Sequence, residues 1–370
     1  MTSVPAFHSA SSSRSTPRLL IAASGTGGHL FPALATAEQL TDYEIEWLGV
    51  PDRLETQLVP DRYPLQTIAV EGFQTRFGLK TIQVSLRLAI SILQVRKLLQ
   101  QGKFQAVLTT GGYIAAPAVV AARSLGLPVV LHESNALPGK VTRWLSPWCT
   151  VVALGFKEAA QYLPKAQTVQ VGTPVRSQFL PENIPASDLA ISGFTIPADA
   201  PLIVVVGGSQ GAVAVNRLVR QCAATWLETG AWIVHLTGES DPDAQSFSQP
   251  HYVALPFYSD MAALLQRATL AISRAGAGTL TELAITHTPS ILIPYPFAAE
   301  DHQTVNALNL VTKEAALMVK DNEAMEKAIP MIINLSKNEE QQNKLRENIA
   351  KHAVINADEV VAKEILRTIA

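Results

Sequence analysis

The sequence predicts an α/β protein of two doubly wound domains that face each other across a cleft. Three observations carry this reading. Apolar, strand-like runs alternate with helical patterns along the whole chain, the grammar of parallel sheets covered by helices. A unit of strand, glycine turn and helix appears at 19–40 and restarts at 202–221. Between the two units, "PENIPASDLAISGFTIPADAP" (Pro181 to Pro201) is rich in Pro, Ser and Asp and reads as a linker. A chain of 370 residues also exceeds one comfortable core. The expected layout is a Ser-rich tail over 1–17, a first domain over 18–180, the linker over 181–201 and a second domain over 202–350. A C-terminal helix over 351–370 is placed to return to the first domain. Ligands of doubly wound sheets bind outside the carboxyl ends of the strands, so the cleft is the default site.

Composition narrows the class. Hydrophobic residues are 48% of the chain and charged ones 16%, as in an apolar globular protein. Cys149 and Cys222 offer neither C-x-x-C nor metal-ligand spacing, which favours a reducing compartment. The opening "MTSVPAFHSASSSRSTP" lacks acids and the apolar core of a secretion signal, and reads as a disordered tail. The net charge of −2 hides an asymmetry: residues 1–180 carry 16 Lys and Arg against 10 Asp and Glu, the remainder 13 against 21. No acid lies between Glu71 and Glu133, while Arg76, Lys80, Arg87, Arg96, Lys97, Lys103 and Arg123 do. Such a basic, apolar segment attracts anionic surfaces.

The elements follow in order. "LLIAASGTGGHLFPALATAEQL" (Leu19 to Leu40) is a buried strand, a tight turn through Gly25, Thr26, Gly27 and Gly28, and an opening helix. Leu30 stands where a dinucleotide fingerprint needs its third glycine, and no Gly-Lys pair of a P-loop is near. His29, at the mouth of the turn, is either a proton acceptor or a local cap. "EIEWLGV" is the next strand. In "RFGLKTIQVSLRLAISILQVRKLL", Leu88, Ile92, Val95 and Leu99 share one helical stripe, too often interrupted by charge to span a bilayer. Core packing and membrane-surface docking both remain open for it. "TTGGYIAAP" and "LHESNALPGKVTRWL" follow two further strands, where Asn135 either reads a ligand or closes an Asx turn.

The second half repeats the pattern. In "VVVGGSQGAVAVN" the turn and Ser209 precede a helix beginning near Ala212, a place for a phosphate or merely a tight connection. Asp241 and Asp243 in "SDPDAQ" read as a solvated turn. "SRAGAGTLTELA" (Ser273 to Ala284) leads glycines into a helix starting around Thr279. There Glu282 either closes a Thr-x-x-Glu capping box or accepts from the vicinal hydroxyls of a ribose. "PYPFAAEDHQTVNA" gathers Glu300, Asp301, His302, Gln303 and Asn306 after a buried strand, a set suited to a polyol. From Lys320 the pattern is a pair of packing helices.

Seven motifs, "GTGGH", "GGYIAAP", "HESNALPG", "VGTPVR", "GGSQGA", "SRAGAGTLTEL" and "DHQTVNA", stand in one order from about Arg18 to the C-terminal helices. In them the chain resembles the MurG family of glycosyltransferases. The resemblance implies a GT-B fold of two Rossmann-like domains, and inverting transfer of GlcNAc from UDP-GlcNAc to undecaprenyl-diphosphate-linked MurNAc-pentapeptide, lipid I becoming lipid II. It implies no metal and no other cofactor, an anionic membrane surface and no nucleic acid as partner, and peripheral attachment at the cytoplasmic face of a bacterial inner membrane. Carried over residue by residue, Thr26, Gly27, Gly28, Asn135, Arg176, Ser209 and Gln303 contact the donor. Ala277, Gly278, Thr279, Leu280, Thr281 and Glu282 take uridine and diphosphate, and the backbone of Tyr258 meets the uracil. His29 is the candidate base, or orients the acceptor, and Glu282 positions the donor ribose. The rival readings are a GT-B enzyme acting on another glycolipid, a sugar-nucleotide epimerase, a nicotinamide-dependent oxidoreductase and a non-catalytic nucleotide-sugar scaffold.

Overall fold

The computed structural model describes residues 16–59, 63–70, 79–180, 188–208, 211–320 and 324–369. Residues 1–15 of the expected tail, Arg76 and Ser209 lie outside these residues. The first sheet has seven parallel strands: β1 (Arg18–Ala22), β2 (Glu44–Gly49), β3 (Leu65–Thr67), β4 (Ala106–Thr109), β5 (Val129–Glu133), β6 (Val151–Leu154) and β7 (Thr168–Gln170). Their order is β3-β2-β1-β4-β5-β6-β7. β1 is apolar without alternation because helices cover both faces. Leu20 and Ala22 enter one core cluster, Leu19 and Ile21 the other.

An antiparallel hairpin of β8 (Leu189–Ile191) and β9 (Phe194–Ile196) occupies the end of the expected linker. Ser192 and Gly193 make its two-residue turn, with φ of 48° and 82°, the left-handed pair that suits the twist of a hairpin. Its Ile191 and Ile196 are buried in the second domain's core, so this stretch is structured rather than a bare connector.

The second sheet holds β10 (Leu202–Val206), β11 (Trp232–Leu236), β12 (Tyr252–Leu255), β13 (Leu270–Ser273), β14 (Ser290–Leu292) and β15 (Leu317–Met318). All run parallel, in the order β12-β11-β10-β13-β14-β15. Each sheet reverses its winding once, between β1 and β4 and between β10 and β13. A crevice opens at such a switch point, and the two glycine turns expected from sequence stand at these two places.

Three helices close the chain, Ala324–Lys337, Glu339–Ala350 and Ala357–Ile369, where the sequence pattern suggested a pair. Val361, Ala362 and Ile365 of the last helix are buried in the first domain with Leu19, Ile21 and Trp47. Gln39 Nε2 donates to Asp358 Oδ2 at 2.7 Å, pinning the start of that helix. In the other direction, Val175 and Phe179 pack into the second domain's core. The chain therefore crosses between domains twice.

In the helix Leu79–Gln101, Val95 and Leu99 are buried, with Leu88 and Ile92 packed beside them. That stripe is core. A different one, Leu86, Ile90 and Leu93, faces solvent with exposures of 61%, 47% and 66%. No described helix is long and apolar enough to cross a membrane.

Candidate active site

The first glycine turn leaves the end of β1, which is held from both sides. Thr109 Oγ1 donates to Ala22 O at 2.7 Å and Trp47 Nε1 to Ala23 O at 2.9 Å. Gly25 takes a φ of 104°, open only to glycine at low cost. Beneath the turn lies Glu55, with no exposed surface. Its carboxylate accepts from Val50 N at 2.7 Å and Gly25 N at 3.2 Å, tying the turn to the loop after β2. Nothing in "PDRLETQ" distinguishes this glutamate from a surface residue, and the sequence reading missed it.

The helix Gly27–Glu38 starts with Thr26 as its cap residue and no side-chain capping bond. Thr26 and Gly28 are exposed, Gly27 is buried and His29 half-buried. His29 Nδ1 donates to Thr110 O at 2.6 Å. A carbonyl only accepts, so this bond places the imidazole proton on Nδ1 and leaves Nε2 with its lone pair. Opposite lie Gly111 and Gly112, with φ of 91° and 73°. A Cβ on Gly112 would stand 3.8 Å from His29 Nε2, so glycine leaves that nitrogen approachable.

The loop after β5 is folded by Glu133. Its Oε1 accepts from Asn135 N and Nδ2, each at 3.0 Å, and its Oε2 from Gly139 N at 3.2 Å. Asn306 arrives from the second domain with no exposed surface. Its Oδ1 accepts from Ala136 N at 2.9 Å, and its Nδ2 donates to Asn135 Oδ1 at 3.1 Å and Ala275 O at 3.2 Å. Asn135 thus combines the turn and the cross-cleft contact. One amide hydrogen and one lone pair stay available on its side chain.

On the second domain, the helix Ala277–Ile285 begins after Gly276, two residues earlier than Thr279. No side chain caps it and its first turn carries no acid, so the Thr-x-x-Glu capping box does not form. Thr279 is already inside the helix, and Thr281 Oγ1 donates to Ala277 O at 3.0 Å. Leu280 and Ala277 are buried, whereas Gly278, Thr279 and Thr281 are half-buried. The helix start is left with free amides at the positive end of its dipole, an arrangement that suits an anion. Glu282 instead meets Arg176 Nη2 at 3.3 Å. Burial pushes the Glu282 carboxyl above its ordinary range, and the Arg176 guanidinium opposes that rise. Gln303 Oε1 accepts from Ala275 N at 3.2 Å and Tyr295 N at 2.9 Å, clipping the loops after β13 and β14 and leaving its Nε2 to donate. Tyr258 is half-buried against the second core.

The loop after β10 is tight for steric reasons. A Cβ on Gly211 would come within 2.5 Å of Thr237 O, at a φ of 72°. The helix Val213–Leu227 follows, and its Asn216 Nδ2 donates to Thr237 O at 2.7 Å and Asp241 Oδ2 at 2.8 Å. Arg220 grips Asp241 with both terminal nitrogens, at 2.7 and 3.3 Å. Asp241 is therefore a buried anchor, not the solvated turn residue expected from "SDPDAQ".

Two doubly wound sheets are thus joined through Asn135, Asn306, Arg176 and Glu282, with the His29 imidazole in one domain and an uncapped helix start in the other. That is the architecture of the GT-B glycosyltransferases, the class this fold and site define. The chain belongs to glycosyltransferase family 28: residues 19–154 match the family's N-terminal domain and residues 202–362 its C-terminal domain. A relative from Nostoc punctiforme is 62% identical over 356 residues, spanning 95% of this chain and 98% of the relative. It is described as UDP-N-acetylglucosamine–N-acetylmuramyl-(pentapeptide) pyrophosphoryl-undecaprenol N-acetylglucosamine transferase. A relative of the same description from Synechocystis sp. is 63% identical over 302 residues, 81% of this chain and 83% of its own length. Among solved structures, Acinetobacter baumannii MurG matches with a TM-score of 0.75 at 29% identity, covering 95% of this chain and 99% of that one. The calicheamicin glycosyltransferase CalG4, at 13% identity and a TM-score of 0.69, shares the fold. These findings leave the oxidoreductase reading without support.

Proposed function

We propose that this chain transfers N-acetylglucosamine from UDP-N-acetylglucosamine to the C4 hydroxyl of undecaprenyl-diphosphate-linked MurNAc-pentapeptide, converting lipid I to lipid II with inversion. The near-full-length identity of 62% to a transferase described by that reaction carries the reading. The geometry supplies a mechanism. The acceptor hydroxyl attacks the anomeric carbon in line, its proton passes to His29 Nε2, and the bond to UDP breaks. Negative charge then grows on the leaving diphosphate. The amides of Ala277, Gly278 and Thr279 and the guanidinium of Arg176 absorb it. Glu282 holds the ribose hydroxyls, Gln303 and Asn135 the sugar, Thr26 to Gly28 the donor from the acceptor side, and the Tyr258 backbone the uracil. No metal ion is required in this scheme.

The acceptor is lipid-linked, so the enzyme works at the cytoplasmic face of the inner membrane as a peripheral protein. The exposed Leu86, Ile90 and Leu93, beside Arg87 and Lys97, and the exposed Trp144 and Trp148 support docking on anionic lipid. The decisive assay is radiolabelled sugar transfer from UDP-N-acetylglucosamine to a lipid I analogue, with and without EDTA. A disaccharide-lipid product in both arms is expected. No product with this acceptor would remove the assignment, and product abolished by EDTA would remove the metal-free scheme.

A further inference from the structure

Arg176 reaches the cleft from the crossover between domains, and its surroundings are unusual for a cation. Its guanidinium lies over the Phe31 ring at 4.5 Å and the Phe179 ring at 5.2 Å from the centroids. Its Nη2 donates to Glu282 at 3.3 Å, while its buried Nε has no hydrogen-bond partner. A guanidinium offers five donors in a fixed fork, and a side chain three-quarters withdrawn from water with donors unspent is prepared for an anion. Phe31 belongs to the first domain, two residues past His29 on the same helix. Its ring fills the space under the first glycine turn, where a Cβ on Gly27 would come within 2.8 Å of it. Phe179 has no exposed surface and is fixed in the core of the second domain. One aromatic face from each side of the cleft therefore grips the same cation.

We propose that Phe31 and Phe179 form an aromatic clamp that positions Arg176 for the donor diphosphate, making Phe31 a donor-positioning residue although it stands on the acceptor-side helix. The inference rests on the donor-site reading above. Without donor, Arg176 spends one Nη2–H on Glu282. When ribose hydroxyls take Glu282, the ion pair loosens, and the rings keep the guanidinium facing the cleft instead of letting it swing into water. Cation–π contact strengthens as water is excluded, so closing the site over the nucleotide tightens the grip.

The test is calorimetric titration of the full chain with UDP and with uridine. Phe31→Leu, which keeps bulk and removes the aromatic face, is expected to weaken UDP by about fivefold to tenfold. Uridine, lacking phosphate, should bind it as it binds the parent protein. Phe31→Tyr, which restores the face, should return UDP affinity to that of the parent. In an Arg176→Ala background, Phe31→Leu should add nothing. The clamp is overturned if Phe31→Leu leaves UDP binding unchanged, weakens uridine equally, or acts undiminished without Arg176. If Arg176→Ala itself leaves UDP affinity intact, the donor-site assignment of Arg176 fails. If Arg176→Ala weakens UDP and Phe31→Leu does not, the clamp alone fails.

Discussion

His29 owes its chemistry to one bond. With Nδ1–H committed to Thr110 O, the tautomer is fixed and Nε2 is the basic atom, as a general base requires. His29→Ala should lower kcat by about 10²-fold or more while UDP affinity, measured by calorimetry, stays the same. Near-parental turnover at saturating acceptor would take the base role away. Glu55 shows what residue-level reading of sequence misses. Its carboxylate serves two backbone amides at once, so Glu55→Gln sets an amide N–H against one of them. A loss of about 1–3 kcal/mol in denaturant unfolding is expected. His29 was legible because a histidine closing a glycine turn is conspicuous. Glu55, and the ring of Phe31 against Arg176, were not, because their partners lie far off in sequence and only the fold joins them.

Among the elements, the central strands were legible and the edges were not. The runs "AVLTTGG", "PVVLHE", "PLIVVVGGSQG" and "TLAISRAG" each hold a strand buried on both faces, and unbroken apolar residues announce it. β3, β7 and β15 are two or three residues long, half-buried or exposed, and too short for any periodicity to register. Thr279 and Glu282 imitate a capping box two residues inside the helix after β13, whereas Gly276 ends the loop and the amides stay open. The helix after β10 is anchored by a buried polar chain. His235 Nε2 donates to Asn216 Oδ1 at 3.0 Å, and Tyr252 Oη donates to His235 Nδ1 at 2.7 Å. Burial first, then the nearby Arg220, lowers His235 from 6.5 to about 4, against the pull of Asp241. Between these values the unfolded chain binds a proton that the folded one refuses. Stability is therefore full above pH 6.5 and falls on acidification toward pH 4, by about 3 kcal/mol. Urea unfolding across that window should show the slope, and His235→Gln should flatten it. Gly211→Ala, set against Thr237 O at a positive φ, should cost more than about 1 kcal/mol and loosen the same loop.

At the scale of the whole molecule, two domains share one cleft because the chain trades elements between them. The last helix completes the first core, Phe179 enters the second, and Asn306 closes the loop after β5 from across the cleft. Arg143 pairs with Glu300 and Lys313 with Glu158 over the same boundary. The return of the last helix and the two domains were legible in the pattern, whereas the cross-domain contacts of Phe179, Asn306, Arg143 and Lys313 were not. The exposed stripe on the helix Leu79–Gln101 also differs from the one visible in sequence, since Leu88, Ile92, Val95 and Leu99 turned inward. Replacing Leu86 and Leu93 by Glu should reduce co-sedimentation with anionic vesicles and leave UDP binding intact, and unchanged sedimentation would exclude that face. The reaction scheme itself stands on where the leaving nucleotide puts its charge. A crystal structure with UDP decides it: the diphosphate should lie on the amides of Ala277 to Thr279 beside Arg176, with the ribose against Glu282. A diphosphate bound anywhere else in the cleft would contradict the mechanism.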